Sequence, residues 1–179
     1  HGPEALELVS ELVGFAAELG VRSAVLLVDP GEALFEQVLH DVGPDAIQLQ
    51  GKEPPEKVLR YWRDCQGICE LWKAIGVADE SDLEELENWQ VDRFLFDAKP
   101  AKAGALPGGN GEVGAWEVLE GAEPGIAWWL AGGLTVDNVA EAIAATGARA
   151  VDVSSGVERT RGVKDEDLIR AFIDAAKFG

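Results

Sequence analysis

The sequence predicts an α/β protein built on a parallel sheet, closed as an eightfold barrel in preference to an open doubly wound sheet. Short apolar runs alternate with stretches of helical spacing along the whole chain. Every connection between successive runs is long enough for a crossover helix, as parallel pairing requires. The polar and glycine-rich motifs stand where strands pass into the following helices: Asp97 after RFLF, Gly132-Gly133 after WWLA, and Ser154-Ser155-Gly156 after AVDV. A barrel distributes its active residues over such strand ends, whereas an open sheet gathers them at one switch point.

Taken in order, residues 3 to 19 place Leu6, Val9, Val13 and Ala16 or Ala17 at helical spacing, with Pro3 in the first turn and Gly20 at the end. Ser23 to Val28 is an apolar run too brief for a helix and stopped by Asp29-Pro30, the pattern of a strand buried on both faces. Helical spacing returns from Gly31 to Val42, where His40 reads as a charge near a helix C-terminus. Further strands are predicted at Ala46 to Leu49, Glu70 to Val77, Arg93 to Phe96, Ile126 to Leu130 and Ala150 to Val153. Further helices are predicted at Pro54 to Asp64, Ser81 to Trp89, Val136 to Thr146 and Asp165 to Lys177, with a weaker one near Trp116 to Leu119. Ser81 stands three residues before Glu84 as in a capping box, and Asp79 and Thr135 mark strand-to-helix boundaries. The segment Pro100 to Gly114, rich in Gly, Ala and Pro, is expected to be a loop, functional or mobile at that length. In the pair Trp128 and Trp129, period-two geometry sends one ring inward and the other toward the helices.

The chain has 179 residues, 47% of them hydrophobic, enough for one domain with a sizeable core. Fifteen basic against thirty-three acidic residues give a net charge of −18. Such a surface repels phosphate backbones and anionic lipid, so no nucleic-acid or membrane partner is expected. The charge is read as a solubility device, ahead of adaptation to high salt. Cys65 and Cys69 lack the further Cys or His of a zinc site and read as free thiols of a reducing, cytoplasmic setting. The acidic cluster from Asp79 to Glu87 is read as a solvated helix face, so no metal site is expected.

The chemistry concentrates in two motifs. In A-G-G-L, Ala131 to Leu134, successive glycines at a strand end let backbone N–H groups approach an anion, and a helix follows with its positive end. In V-D-V-S-S-G, Val151 to Gly156, two hydroxyls and a glycine add donors. The loops after the last two strands of a barrel are its usual phosphate site, so Gly132, Gly133, Ser154, Ser155 and Gly156 are the candidate phosphate ligands.

Asp45 to Gly51 (DAIQLQG), Trp72 to Val77 (WKAIGV), Phe94 to Pro100 (FLFDAKP), Leu106 to Gly111 (LPGGNG), Leu130 to Ile143 and Val151 to Asp165 occur in this order. Together they resemble the phosphoribosylanthranilate isomerases of tryptophan biosynthesis. The resemblance implies a single TIM-barrel domain spanning residues 1–179, with six of the eight strands present. It implies an Amadori rearrangement of N-(5-phosphoribosyl)anthranilate, an aminoaldose phosphate, to the carboxyphenylamino-deoxyribulose phosphate, with no cofactor. It makes Asp97 the general acid and gives Gln50, Asn110 and Asp152 to the substrate.

The chain also departs from the family pattern. The family's general base is a cysteine in a C-G motif on the first strand, and an arginine in an S-P-R motif grips the anthranilate carboxylate. Neither motif occurs here, and Gln50 stands where the family usually has histidine. The opening helix corresponds to the family's second, so the first strand, first helix and second strand are expected to be missing from these residues. The chain alone is then expected to be inactive, with open sheet edges through which it self-associates. The alternative is a non-catalytic barrel fragment or scaffold that binds phosphate or pairs with another chain.

Overall fold

The computed structural model describes residues 3–84, 86–98, 115–122 and 124–178. They form two compact units, residues 1–74 with 88–93 and residues 75–87 with 94–179.

In the first unit α1 (Pro3–Glu18) ends at Gly20, whose φ of +67° only glycine adopts readily. β1 (Ala24–Leu27) runs parallel to β2 (Ala46–Leu49), with Ala24 opposite Ala46. β2 in turn pairs with β3 (Glu70–Val77), Ala46 opposite Glu70 through Leu49 opposite Lys73. Between β1 and β2 the expected helix is α2 (Glu32–Gln37), which widens into a π-helical turn at Val38–Val42 containing His40. α3 (Pro55–Cys65) follows β2, and its Tyr61 stacks on Phe35 of α2 with ring centroids 3.8 Å apart. The Tyr61 hydroxyl donates to the carbonyl of Pro30 at 2.9 Å. Ile47, Leu49, Val58 and Leu71 are fully buried.

β1 is not buried on both faces as its apolar run predicts, for Leu26 is 53% exposed. β1 is the edge strand, with β2 on one side and no strand on the other among the described residues. Leu8, Leu12, Phe15 and Leu19 form an exposed apolar stripe along α1 and the turn after it.

In the second unit the last residues of β3 lead to α4 (Ser81–Glu84) and a 3-10 turn at Leu86–Asn88, in place of one helix over 81–89. Ser81 is not the cap: Asp79 Oδ1 accepts both its N–H and its hydroxyl, and Asp82 Oδ2 accepts the N–H groups of Ala78 and Asp79. Asp79, Glu80, Asp82, Glu84 and Glu87 crowd like charges with no basic residue in α4, which disfavours further turns.

β4 (Arg93–Ala98) pairs parallel with β5 (Trp128–Ala131), Phe94 opposite Trp128 through Asp97 opposite Ala131. α5 (Ala115–Val118) sends its Trp116 indole N–H to the carbonyl of Ala98 at 3.1 Å. α6 (Val139–Thr146) ends at Gly147 with φ +70°. The strand predicted at Ala150 to Val153 is reduced to a bridge of Val151 to Leu130, held by Leu130 N–H to Ala150 O at 3.0 Å and Asp152 N–H to Leu130 O at 2.7 Å. A 3-10 turn (Ser155–Val157) leads into a hairpin absent from the sequence reading, β6 (Glu158–Thr160) and β7 (Val163–Lys164). α7 (Glu166–Phe178) is capped by Asp165 Oδ1, which takes the N–H groups of Asp167 and Leu168. No helix among the described residues is long and apolar enough to cross a membrane.

Candidate active site

Alternation along β4 and β5 decides which side chains meet. Phe96, Ala98 and Leu130 are fully buried, and Trp128 tilts against Phe96 with centroids 5.3 Å apart. Asp97 and Trp129 therefore share the opposite face, and Asp152, one residue past the Leu130 to Val151 bridge, joins them there.

Asp97 is half-buried, and its Oδ1 has no hydrogen-bond partner among the described residues. Gly132, at φ +99°, lies directly against it: a Cβ there would run into Asp97 Oδ1 and come within 2.9 Å of the Ala98 nitrogen. The glycine is thus required twice, for its φ and for the close approach of the carboxylate. Burial pushes the Asp152 carboxyl above its ordinary value, the negative charge of Asp97 pushes it further, and Lys164 opposes both. The result is a carboxyl that retains its proton to higher pH beside a second carboxyl with an unpaired oxygen. Two such groups on one face have the makings of proton transfer to and from a bound substrate.

The two glycine loops stand in backbone contact. A Cβ on Gly156 would collide with the carbonyl oxygen of Leu134 and lie 2.9 Å from its carbon. Gly133 has φ +63°, and the loop around it is pinned by Asn138, whose Oδ1 accepts the Thr135 N–H at 2.7 Å while its Nδ2 donates to Gly133 O at 3.0 Å. Asn138 rather than Thr135 thus organises the start of α6. The N–H groups of Gly133, Ser155 and Gly156 donate to no acceptor among the described residues. Ser154, at φ −118° and ψ −88°, precedes the second loop's turn, and its carbonyl accepts from Lys164. Backbone donors without acceptors on two touching loops are the raw material of an oxyanion or phosphate cradle.

Gln50 lies in the first unit, exposed at the end of β2, where its Oε1 accepts from Gln48 Nε2 at 2.8 Å. Asn110 and the Pro100 to Gly114 loop lie outside the described residues. Cys65 and Cys69 stand before the N-terminal end of β3, whereas Asp97 stands near the C-terminal end of β4. Their thiols are hydrogen-bonded to each other: that bond and burial push Cys65 up, and the same bond draws Cys69 down.

Sequence reasoning missed a polar knot in the first unit. Lys73, within the apolar run of β3, is 3% exposed and faces Glu53, fully buried, at 3.0 Å. Its ammonium donates to the carbonyls of Gly51 at 2.8 Å and Ala74 at 3.1 Å. Glu53 Oε1 accepts the N–H groups of Asp29 at 2.9 Å and Gly51 at 3.1 Å, so one carboxylate ties the loop after β1, the loop after β2 and β3 together. Asp29 is held at φ +45°, with Oδ1 accepting the Lys52 N–H at 2.7 Å. The available signal was a lysine in a strand otherwise apolar, because a buried charge requires a partner. Asn138 left a comparable trace, an amide three residues after Thr135 in the L-T-x-x-N motif.

The sequence model of N-(5'-phosphoribosyl)anthranilate isomerase matches residues 22–175. The protein of that name from Paramagnetospirillum magneticum is 48% identical over 176 residues, covering 95% of this chain and 79% of the relative. Among solved structures, the phosphoribosylanthranilate isomerase of Thermotoga maritima superposes with a TM-score of 0.72 at 32% identity, covering 98% of this chain and 80% of that one. A phosphoribosylanthranilate isomerase in complex with reduced 1-(o-carboxyphenylamino)-1-deoxyribulose 5-phosphate superposes with a TM-score of 0.71 at 30% identity, covering 99% and 80%.

Proposed function

The chain belongs to the N-(5'-phosphoribosyl)anthranilate isomerase family, a TIM-barrel fold acting in tryptophan biosynthesis, and from that premise we propose how its own residues serve the reaction. The enzyme converts an aminoaldose phosphate to an aminoketose phosphate. Asp97 gives a proton to the furanose ring oxygen, so the C1–O bond breaks and the anilino nitrogen and C1 form an iminium. A base removes the C2 proton, the electron pair neutralises the iminium, and the resulting enolamine tautomerises to the ketone. Asp152 stands on the same face as Asp97 and meets the sugar hydroxyls. The loops holding Gly132, Gly133, Ser154, Ser155 and Gly156 take the phosphate, and Gln50 and Asn110 complete the substrate contacts.

The observation that carries this reading is the placement of Asp97 with its unpartnered oxygen against Gly132, the glycine that opens the first donor loop. The 179 residues hold neither the C-G nor the S-P-R motif, and their two cysteines stand at the wrong end of a strand to act as base. Loss of anthranilate-type fluorescence reports turnover. In a chain that also carries both motifs, Asp97→Asn lowers the rate by about two to four powers of ten. The 179 residues alone give no measurable turnover. Full activity in the Asp97→Asn enzyme would remove Asp97 from the mechanism.

The single-domain reading over 1–179 is supported by β3, whose residues run through both units. Self-association through the free edge of β1 is supported by Leu26 and Val28, which are exposed there; light scattering across a dilution series tests it. A cytoplasmic location is supported by the two free thiols.

A further inference from the structure

The hairpin between the second donor loop and α7 has so far entered only through Lys164, which opposes the rise of Asp152 and donates to the Ser154 carbonyl. Glu158 in β6 stands opposite Lys164 in β7, and Glu158 Oε2 accepts the Gly162 N–H at 2.9 Å in the turn, where φ is +79°. The Lys164 ammonium lies 2.8 Å from Glu158 Oε1, 2.8 Å from the carbonyl oxygen of Ser154 and 3.4 Å from Ser154 Oγ. One cation therefore spans the hairpin and the loop.

The Ser154 carbonyl and the Ser155 N–H belong to the same peptide plane, and in a trans peptide they point in opposite directions. Fixing the oxygen on Lys164 thus aims the Ser155 N–H away from the hairpin. That N–H is one of the groups with no acceptor among the described residues. A cation on the carbonyl oxygen also polarises the peptide and strengthens its N–H as a donor. Ser154 itself sits at φ −118° and ψ −88°, outside the helical and extended regions, so this orientation has no regular secondary structure to support it.

We propose that Lys164 is a positioning residue for the substrate's phosphate group, acting from behind through the Ser154–Ser155 peptide while Glu158 holds its ammonium in place. The inference rests on the phosphate reading of the two loops and adds to it a residue from outside both.

The test uses the 179-residue chain and inorganic phosphate, followed by calorimetry and by amide resonances in NMR. In the parent, phosphate shifts the resonances of both Gly133 and Ser155. In Lys164→Met the Ser155 shift is lost while that of Gly133 remains, and the dissociation constant rises about tenfold, the worth of one charge-assisted hydrogen bond. Lys164→Arg restores the Ser155 shift, which a merely structural loss would not allow. Should Lys164→Met titrate like the parent at Ser155 and bind within about twofold of it, the inference is overturned and the phosphate loops stand. Should phosphate move neither resonance in the parent, the phosphate reading itself falls and the inference with it.

Discussion

Replacing Lys73 by methionine removes the cation from a carboxylate with no access to water. Lys73 and Glu53 are 3% and 0% exposed and 3.0 Å apart, a contact without the alignment of a hydrogen bond, so the attraction is electrostatic. At an effective dielectric near 20 their Coulomb energy is about 5 to 6 kcal/mol before desolvation is subtracted. Breaking such a pair from one side typically costs about 3 to 5 kcal/mol, because an uncompensated charge remains buried. Here Glu53 keeps the N–H groups of Asp29 and Gly51, which places the expected loss near the lower end, about 3 kcal/mol. For a chain of this size that corresponds to a fall in Tm of about 6 to 12 °C.

Thermal unfolding followed by circular dichroism at about pH 7 measures it. Burial alone would raise Glu53, but Lys73 and the backbone N–H groups outweigh it and hold the carboxyl below its ordinary value of 4.5. A depressed folded pKa means stability present above 4.5 and lost as pH falls through the folded value, so the gap between parent and Lys73→Met narrows on acidification. The Glu53→Leu, Lys73→Met double variant should be more stable than Lys73→Met, since no charge is left behind. A Lys73→Met chain melting within about 2 °C of the parent, or a gap unchanged by acid, would show that the buried pair does not stabilise the fold in this way.

Gly156→Ala drives a methyl group into the Leu134 carbonyl, so it should weaken phosphate binding about tenfold or more in calorimetry while leaving the helical circular dichroism intact; Gly133→Asp should abolish the binding. Asp152 has a raised carboxyl, caused first by burial and then by Asp97, so its ionisation destabilises the folded state once pH exceeds the ordinary value of 3.8. Asp152→Asn should therefore raise Tm near neutrality and leave it unchanged well below 3.8; a fall at neutral pH would contradict the assignment. Cys69, drawn down by its hydrogen bond from the buried Cys65, should be alkylated first by iodoacetamide, and Cys65→Ala should slow that reaction, as peptide mass spectrometry would report.

Features that recur over a few residues are legible in the chain before it folds. Apolar runs such as RFLF and WWLA, set between helical spacings, locate β4 and β5 because burial on a pleated sheet selects such runs whatever the distant chain does. The same locality exposes Asp97, Gly132 and Gly133, which stand directly at strand ends. It misled at Ser81, where the capping-box spacing was present but Asp79 and Asp82, equally close in sequence, took the N–H groups. The remaining features arise from contacts between distant parts of the chain. Glu53 reaches Asp29 across 24 residues, and Gly156 meets Leu134 backbone to backbone; neither spacing has a period to detect. The exposure of Leu26 likewise depends on how many strands flank β1, and the raised carboxyl of Asp152 depends on burial and on Asp97, 55 residues earlier in the chain. Such effects follow from where a side chain sits in three dimensions, because desolvation, charge proximity and backbone contact fall off over a few ångströms of space and take no account of distance along the chain.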